Sequence, residues 1–344
     1  MSVIPQHRGV TARSAELVSA QRRPQPGAIT IVPAAATLAG AEDALVSVVA
    51  AVVTAAGGEL VPLGPQTRGL IWLSYGGADA LKYTLDSHPA IDWVQLPYAG
   101  VDTFGTLLGS YIDRPLPLWT SAKGAYSQPV AEHALTLVLA LLRVIPTRVR
   151  ATGWPTGPKA GTSLFGLSVL IVGAGGIAIE LIRLLEPFDV RVTIVRRSTG
   201  ELAGTQLSVT SDRLREVLPI ADVVVIAAAS TAATRHLFGP VEFGLMKKSA
   251  VLVNIARGDL IDTDALVAAL ESGEIAGAGL DVTDPEPLPE GHPLWAAPNI
   301  LITPHSADTP AMTGPLLAER ISANVAGFLG DGRFIGIVDP SVGY

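Results

Sequence analysis

The chain has 344 residues, enough for two domains or for one large α/β unit with an insertion. It carries a net charge of −7 and no cysteine, which excludes thiol catalysis, disulfides and thiolate metal sites and argues against a nucleic acid partner. Hydrophobic residues make up 49%, yet no run is long and apolar enough for a transmembrane helix, so no membrane association is expected.

The first 27 residues are rich in arginine, poor in acids and close on Pro-Gly. They are expected to form a disordered tail, and without a secretory h-region the protein is expected in the cytoplasm. AITIV (28–32) then predicts a strand and EDALVSVVAAVVTAAG (42–57) a helix. ELVPL, GLIWLS and IDWVQLP read as further strands, with ADALKYTLDS as a helix between the last two. Strands alternating with helices imply parallel βαβ units.

VAEHALTLVLALL (130–142) is apolar but carries Glu132 and His133, and reads as a buried helix between two α/β units. His133 there reads as a satisfied interface histidine. A Pro- and Gly-rich passage, GWPTGPKAGTSLFG (153–166), interrupts the pattern. A second series follows, with strands in LSVLIVG, VRVTIV, ADVVVIAA, AVLVNIA, GAGLDV and NILITP and helices in IELIRLLEPF and TDALVAALESG. The segment AMTGPLLAERISANVAGFLGDG is helical and free to run back onto the first unit.

The strand VLIV runs into Gly173-Ala174-Gly175-Gly176-Ile177-Ala178 and then a helix, a G-x-G-x-x-A turn in strand–turn–helix context. The first glycine permits the tight turn, the second lets backbone approach a pyrophosphate, and Ala178 is small enough for close helix–strand packing. Amides at the helix N-terminus then face the phosphates, so Gly173, Gly175, Gly176 and Ile177 are the candidate dinucleotide contacts. Some twenty residues on, a carboxylate is expected to hold the adenosine ribose. Arg196, Arg197 and Ser198 stand there instead. Two guanidiniums and a hydroxyl suit a 2′-phosphate, so NADP(H) is the expected cofactor and NAD(H) the alternative.

Three more strand ends each present one chemically useful residue: Arg257 in VLVNIARGDLID, Glu286 in GAGLDVTDPEPLP and His305 in NILITPHSAD. Carboxyl ends of strands form the ligand crevice of a parallel sheet. Arginine binds a carboxylate with two points of its planar fork. Histidine exchanges protons near neutrality, and a carboxylate on its other nitrogen orients the ring. Together they suit reduction of a 2-keto acid.

At these residues the chain resembles a known family. The run VNIARGDLIDTDALVAALESGEIAGAGLDVTDPEPLPEGHPLWAAPNILITPH is similar to the signature block of the D-isomer-specific 2-hydroxyacid dehydrogenases. The resemblance implies an α/β fold of two Rossmann/flavodoxin-like domains with parallel sheets, the cofactor domain inserted into the substrate domain. The substrate (catalytic) domain would span 28–127 plus 310–344, and the dinucleotide-binding domain 128–309. It implies that Arg257 binds substrate, His305 is the acid/base and Glu286 its partner. Asp281 would lie near the nicotinamide, and Ala228, Ala229, Thr234, Ile255 and Ala256 would line the cofactor. LPYAGVD points to Tyr98, Ala99 and Gly100 as substrate contacts, and the loop with Ser74, Tyr75 and Gly76 supplies others. Small 2-keto or 2-hydroxy acids of the glyoxylate or hydroxypyruvate type are the implied substrates, and a homodimer the implied assembly. The same scaffold also serves dinucleotide-sensing co-repressors, which keep the trio but would lack turnover. Arg196 in place of the family's usual aspartate and Ser-Ala-Asp after His305 are the main departures.

Overall fold

The computed structural model describes residues 15–33, 41–74, 77–154, 156, 158–198 and 200–341. The chain forms two compact units, Met1–Tyr126 with Thr309–Tyr344, and Ser127–Asp308. The second is thus an insertion in the first.

The first unit opens with β1 (Glu16–Leu17) and continues through β2 (Ala28–Val32), α1 (Ala41–Ala55), β3 (Thr67–Trp72), α2 (Ala78–Ser87), β4 (Trp93–Gln95), α3 (Gly105–Gly109) and β5 (Leu118–Thr120). Strands β2-β3-β4-β5 form a parallel sheet in that order. Its interior is aromatic, with Trp93, Trp119 and Phe104 fully buried.

The inserted unit runs through α4 (Ser127–Leu142), α5 (Ile145–Val149), β6 (Ser168–Val172), α6 (Gly176–Leu185), β7 (Arg191–Arg196), β8 (Leu207–Thr210), α7 (Leu214–Val217), β9 (Val223–Ile226), α8 (Pro240–Leu245), β10 (Val251–Asn254), α9 (Thr263–Ser272), β11 (Gly277–Leu280) and β12 (Ile300–Ile302). Its seven strands are parallel in the order β12-β11-β10-β9-β6-β7-β8. The central strands VVVI and VLVN are buried throughout, as strands covered on both faces must be. Gly279 lets α4 sit close on β11, since an added Cβ would lie 3.1 Å from Leu137 Cβ. The chain order reverses between β6 and β9, a switch point where a crevice opens at the strands' carboxyl ends. The chain then returns to the first unit as α10 (Pro310–Leu329), which packs on α1, and β13 (Arg333–Phe334).

Two expectations need correction. Residues 15–27 are not a disordered tail: β1 pairs antiparallel with β13, Arg23 donates to the Gly330 carbonyl, and Gln25 N–H donates to Asp92 Oδ2 at 3.2 Å. Main-chain and side-chain hydrogen bonds tie down a segment whose composition carries no apolar signal; residues 1–14 lie outside the described residues. ELVPL is not a strand but a single bridge between Leu60 and Ile29; the carbonyl of Val61, which would carry the ladder on, accepts the Thr30 hydroxyl at 3.1 Å instead. Among the described residues no helix is long and apolar enough to cross a membrane.

Candidate active site

The glycine turn leaves β6 at the switch point. Gly173 has φ +109° and an added Cβ would overlap the Ala227 carbonyl, so only glycine fits. Gly175 is the N-cap of α6, makes no side-chain cap, and an added Cβ there would meet nothing within 4 Å. Gly176 and Ile177 start the helix, and Ala178 is fully buried beneath it. First-turn amides without a side-chain cap, beside a glycine that leaves room for further atoms, are the donor set a pyrophosphate requires, so these residues fit a dinucleotide.

At the end of β7, Arg196 donates from Nε to Ser208 Oγ at 3.1 Å and from Nη2 to the Gly200 carbonyl at 2.6 Å. Arg197 and Ser198 are exposed beside it. After β9, Ala228 is half-buried and Ala229 exposed. Thr234 closes this loop on itself, its hydroxyl donating to the Ala229 carbonyl and accepting from Thr231 N–H, both at 2.8 Å.

Arg257 follows β10 through buried Ile255 and Ala256. Its loop is shaped by Asn254, which is fully buried: Nδ2 donates to the Arg257 carbonyl at 2.7 Å and Oδ1 accepts from Ala256 N–H at 3.0 Å. Gly258 presses against the chain after β11, where an added Cβ would overlap the Thr283 carbonyl. The Arg257 and Glu286 loops are therefore packed together.

His305 follows β12. Its Nδ1 lies 2.6 Å from Glu286 Oε1, and both side chains keep about half their surface, 53% and 42%. With the carboxylate accepting, Nδ1 carries the hydrogen and Nε2 is left to the substrate side. Asp281 is 2% exposed and both its carboxylate oxygens accept from the chain: Thr303 hydroxyl and Ser306 N–H on Oδ1, Ala307 N–H on Oδ2. Burial pushes the Asp308 carboxyl up, helped by Asp281 and opposed by His305.

In the first unit, Ser74 follows β3 and Tyr98, Ala99 and Gly100 follow β4, all half-buried at the carboxyl edge of that sheet. Ala122 N–H donates to the Tyr98 carbonyl at 2.8 Å. Tyr75 and Gly76 lie outside the described residues. Reading the sequence missed Asn254, Thr303 and Asp308. The signal for Asn254 is a polar residue closing an all-apolar strand three positions before Arg257; Thr303 has none, since hydroxyls at strand ends are common.

Residues 135–307 match the model of the D-isomer specific 2-hydroxyacid dehydrogenase, NAD binding domain. The chain belongs to that family. Glyoxylate reductase of Aeropyrum pernix is 34% identical over 65% of this chain and 68% of its own. An uncharacterized protein in the proB 3′ region of Corynebacterium melassecola is 38% identical over 74% of this chain and 84% of its own. Among solved structures, the D-isomer specific 2-hydroxyacid dehydrogenase from Xanthobacter autotrophicus Py2, in complex with NADPH and MES, superposes with a TM-score of 0.72 at 26% identity, covering 93% of this chain and 100% of that one. This family member is accordingly an oxidoreductase that works with a nicotinamide dinucleotide on small 2-hydroxy or 2-keto acids.

Proposed function

We propose that the chain is an NADP(H)-preferring reductase of small 2-keto acids, of the glyoxylate or hydroxypyruvate type, yielding the D-hydroxy acid. The observation that carries this reading is the His305–Glu286 pair, 2.6 Å apart on the strand ends next to the Arg257 loop. When bound, the nicotinamide supplies hydride to the carbonyl carbon. Arg257 holds the substrate carboxylate and polarises the ketone. His305, protonated and oriented by Glu286, donates from Nε2 as the carbonyl oxygen gains charge, so alkoxide never accumulates. In the reverse direction neutral His305 takes that proton. Ser74, Tyr75, Gly76, Tyr98, Ala99 and Gly100 complete substrate binding in this proposal, and Asp281 stands near the nicotinamide.

The preference for NADP(H) is supported by the end of β7, which presents Arg196, Arg197 and Ser198 with no carboxylate among them. A cytoplasmic homodimer is part of the same proposal. Its support is the family resemblance together with Val149, Trp154 and Phe165, exposed at 72%, 94% and 63%. Sedimentation of the purified protein checks the assembly.

The test is a panel of 2-keto acids with NADPH and NADH, run on the wild type and on His305→Ala. Oxidation of NADPH by glyoxylate or hydroxypyruvate is expected, with kcat reduced by roughly 10²–10⁴ in the variant and dinucleotide binding retained. Equal turnover in His305→Ala would remove the histidine from the chemistry, and no turnover with any keto acid would remove the reductase reading.

A further inference from the structure

We propose that His133 and Thr303 are positioning residues for His305, acting through Asp281; this rests on the acid/base role given to His305 above. The backbone at His305 has φ +49°, the left-handed region that few non-glycine residues adopt. Asp281 holds it there. Its main-chain oxygen accepts from His305 N–H at 2.8 Å, and its carboxylate accepts from the next two amides, Ser306 at 2.9 Å and Ala307 at 3.0 Å. Such a conformation persists where surrounding bonds over-determine it.

The carboxylate is itself aimed by a further chain. Oδ1 accepts the Thr303 hydroxyl at 2.6 Å, and Thr303 Oγ1 lies 2.9 Å from Nε2 of His133 on α4. A hydroxyl has one proton to give. With that proton committed to Asp281, the Thr303 oxygen can only accept, so His133 Nε2 carries a hydrogen and donates. The order is His133 Nε2–H to Thr303 Oγ–H to Asp281 Oδ1. An Nε2–H exists in one neutral tautomer and in the imidazolium alike, so the chain of bonds does not require His133 to be charged. His133 Nε2 also stands 3.5 Å from Asp281 Oδ1, a second link to the same oxygen.

Two carboxylates thus divide the placement of one imidazole. Glu286 sets the ring's tautomer through Nδ1, while Asp281 sets where the backbone under the ring stands. Helix α4 reaches this carboxylate through His133, which meets Thr303 across 170 residues of sequence. An acid that must meet a developing charge within a few tenths of an ångström depends on such support.

The test compares Thr303→Val, Thr303→Ser, His133→Leu and His133→Gln, with ¹⁵N spectra of the histidine rings recorded on the dinucleotide-free protein. Thr303→Val keeps the shape and removes both bonds; its kcat should fall about tenfold with the keto-acid KM changed less than about twofold. Thr303→Ser restores the hydroxyl and His133→Gln restores an N–H donor, so both should recover most of the rate. The pair Thr303→Val with His133→Leu should lose much less than the product of the two single losses, because both side chains act through the one Asp281 carboxylate. In the wild type the spectra should show His133 protonated at Nε2, and the His305 ring signals should move in Thr303→Val but not in Thr303→Ser.

Unchanged kcat and unchanged His305 signals in Thr303→Val would overturn the proposal, as would His133 unprotonated at Nε2 in the wild type. The spectra need no substrate. If the wild type reduces no keto acid, moved His305 signals still uphold the positioning chain while the acid/base reading falls. If Thr303→Val fails to fold, the wild-type tautomer and the rate of His133→Leu against His133→Gln decide.

Discussion

Arg196 and Arg197 are neighbours with separable tasks. Arg196 turns its guanidinium back onto Ser208 and the Gly200 carbonyl and so shapes the turn after β7, whereas Arg197 lies exposed at its tip. Arg197→Ala is therefore expected to weaken NADPH binding roughly ten- to a hundredfold, the worth of one charge-assisted hydrogen bond, and to leave NADH unaffected. Arg196→Ala should weaken both dinucleotides, because the turn itself loosens; fluorescence titration at fixed salt separates the two outcomes. Asp308 gives a second residue-scale prediction. Burial raises its carboxyl above the ordinary range, so the folded chain binds that proton more tightly than the unfolded chain. Stability from this site is then greatest in acid and falls as pH rises from the ordinary carboxylate value through the raised one, beyond which the ionised group is a constant cost. Asp308→Asn should raise Tm at neutral pH and leave it unchanged below about pH 3, where the carboxyl is protonated in both states. A gain that persists in acid would mean the cost is not electrostatic.

Helix α10 shows how an element is fixed by one polar side chain. Asn324 is fully buried, donating to Gln95 Oε1 at 2.7 Å and to the Ile335 carbonyl at 3.0 Å while accepting Ile335 N–H at 2.8 Å. Asn324→Leu strands the Ile335 amide and carbonyl in the interior of the first unit. A loss of about 2–4 kcal/mol is expected, measured by urea denaturation; a loss under about 0.5 kcal/mol would mean that water replaces the amide. Elements as such were largely legible in the sequence. The β-branched runs of β6, β7, β9 and β10 and the periodic segment of α9 carry their own signal. The strands β5 and β8, with three and four residues, do not. They exist because a neighbouring parallel strand supplies the ladder, and LWT or LSVT alone is too short to show a period. The site divides along the same line. A glycine at a switch point or a histidine after a strand announces itself locally, whereas the partner of Thr303 lies on α4 and can be found only in the folded chain.

At the scale of the molecule, the insertion separates the assignments into two groups. The glycine turn, the β7 tip, the loop after β9, Arg257, Glu286 and His305 all belong to the unit Ser127–Asp308, and Ser74 and Tyr98–Gly100 to the other. The proposed function therefore assigns dinucleotide contacts to one unit alone and substrate contacts to both. Ligand binding should protect amides in the same pattern, since whatever binds only the folded state adds to its stability by mass action, about 2.7 kcal/mol at a hundredfold excess over Kd. In hydrogen exchange, NADPH alone should slow peptides covering 173–177, 196–201 and 228–234 and leave peptides covering 70–74 and 96–101 unchanged. Adding a non-reducible analogue of a 2-keto acid to the NADPH complex should slow the latter as well. Protection of 96–101 by NADPH alone would reassign Tyr98, Ala99 and Gly100 to dinucleotide binding. Protection in neither condition would remove them from the substrate site and leave Arg257 to hold the carboxylate by itself.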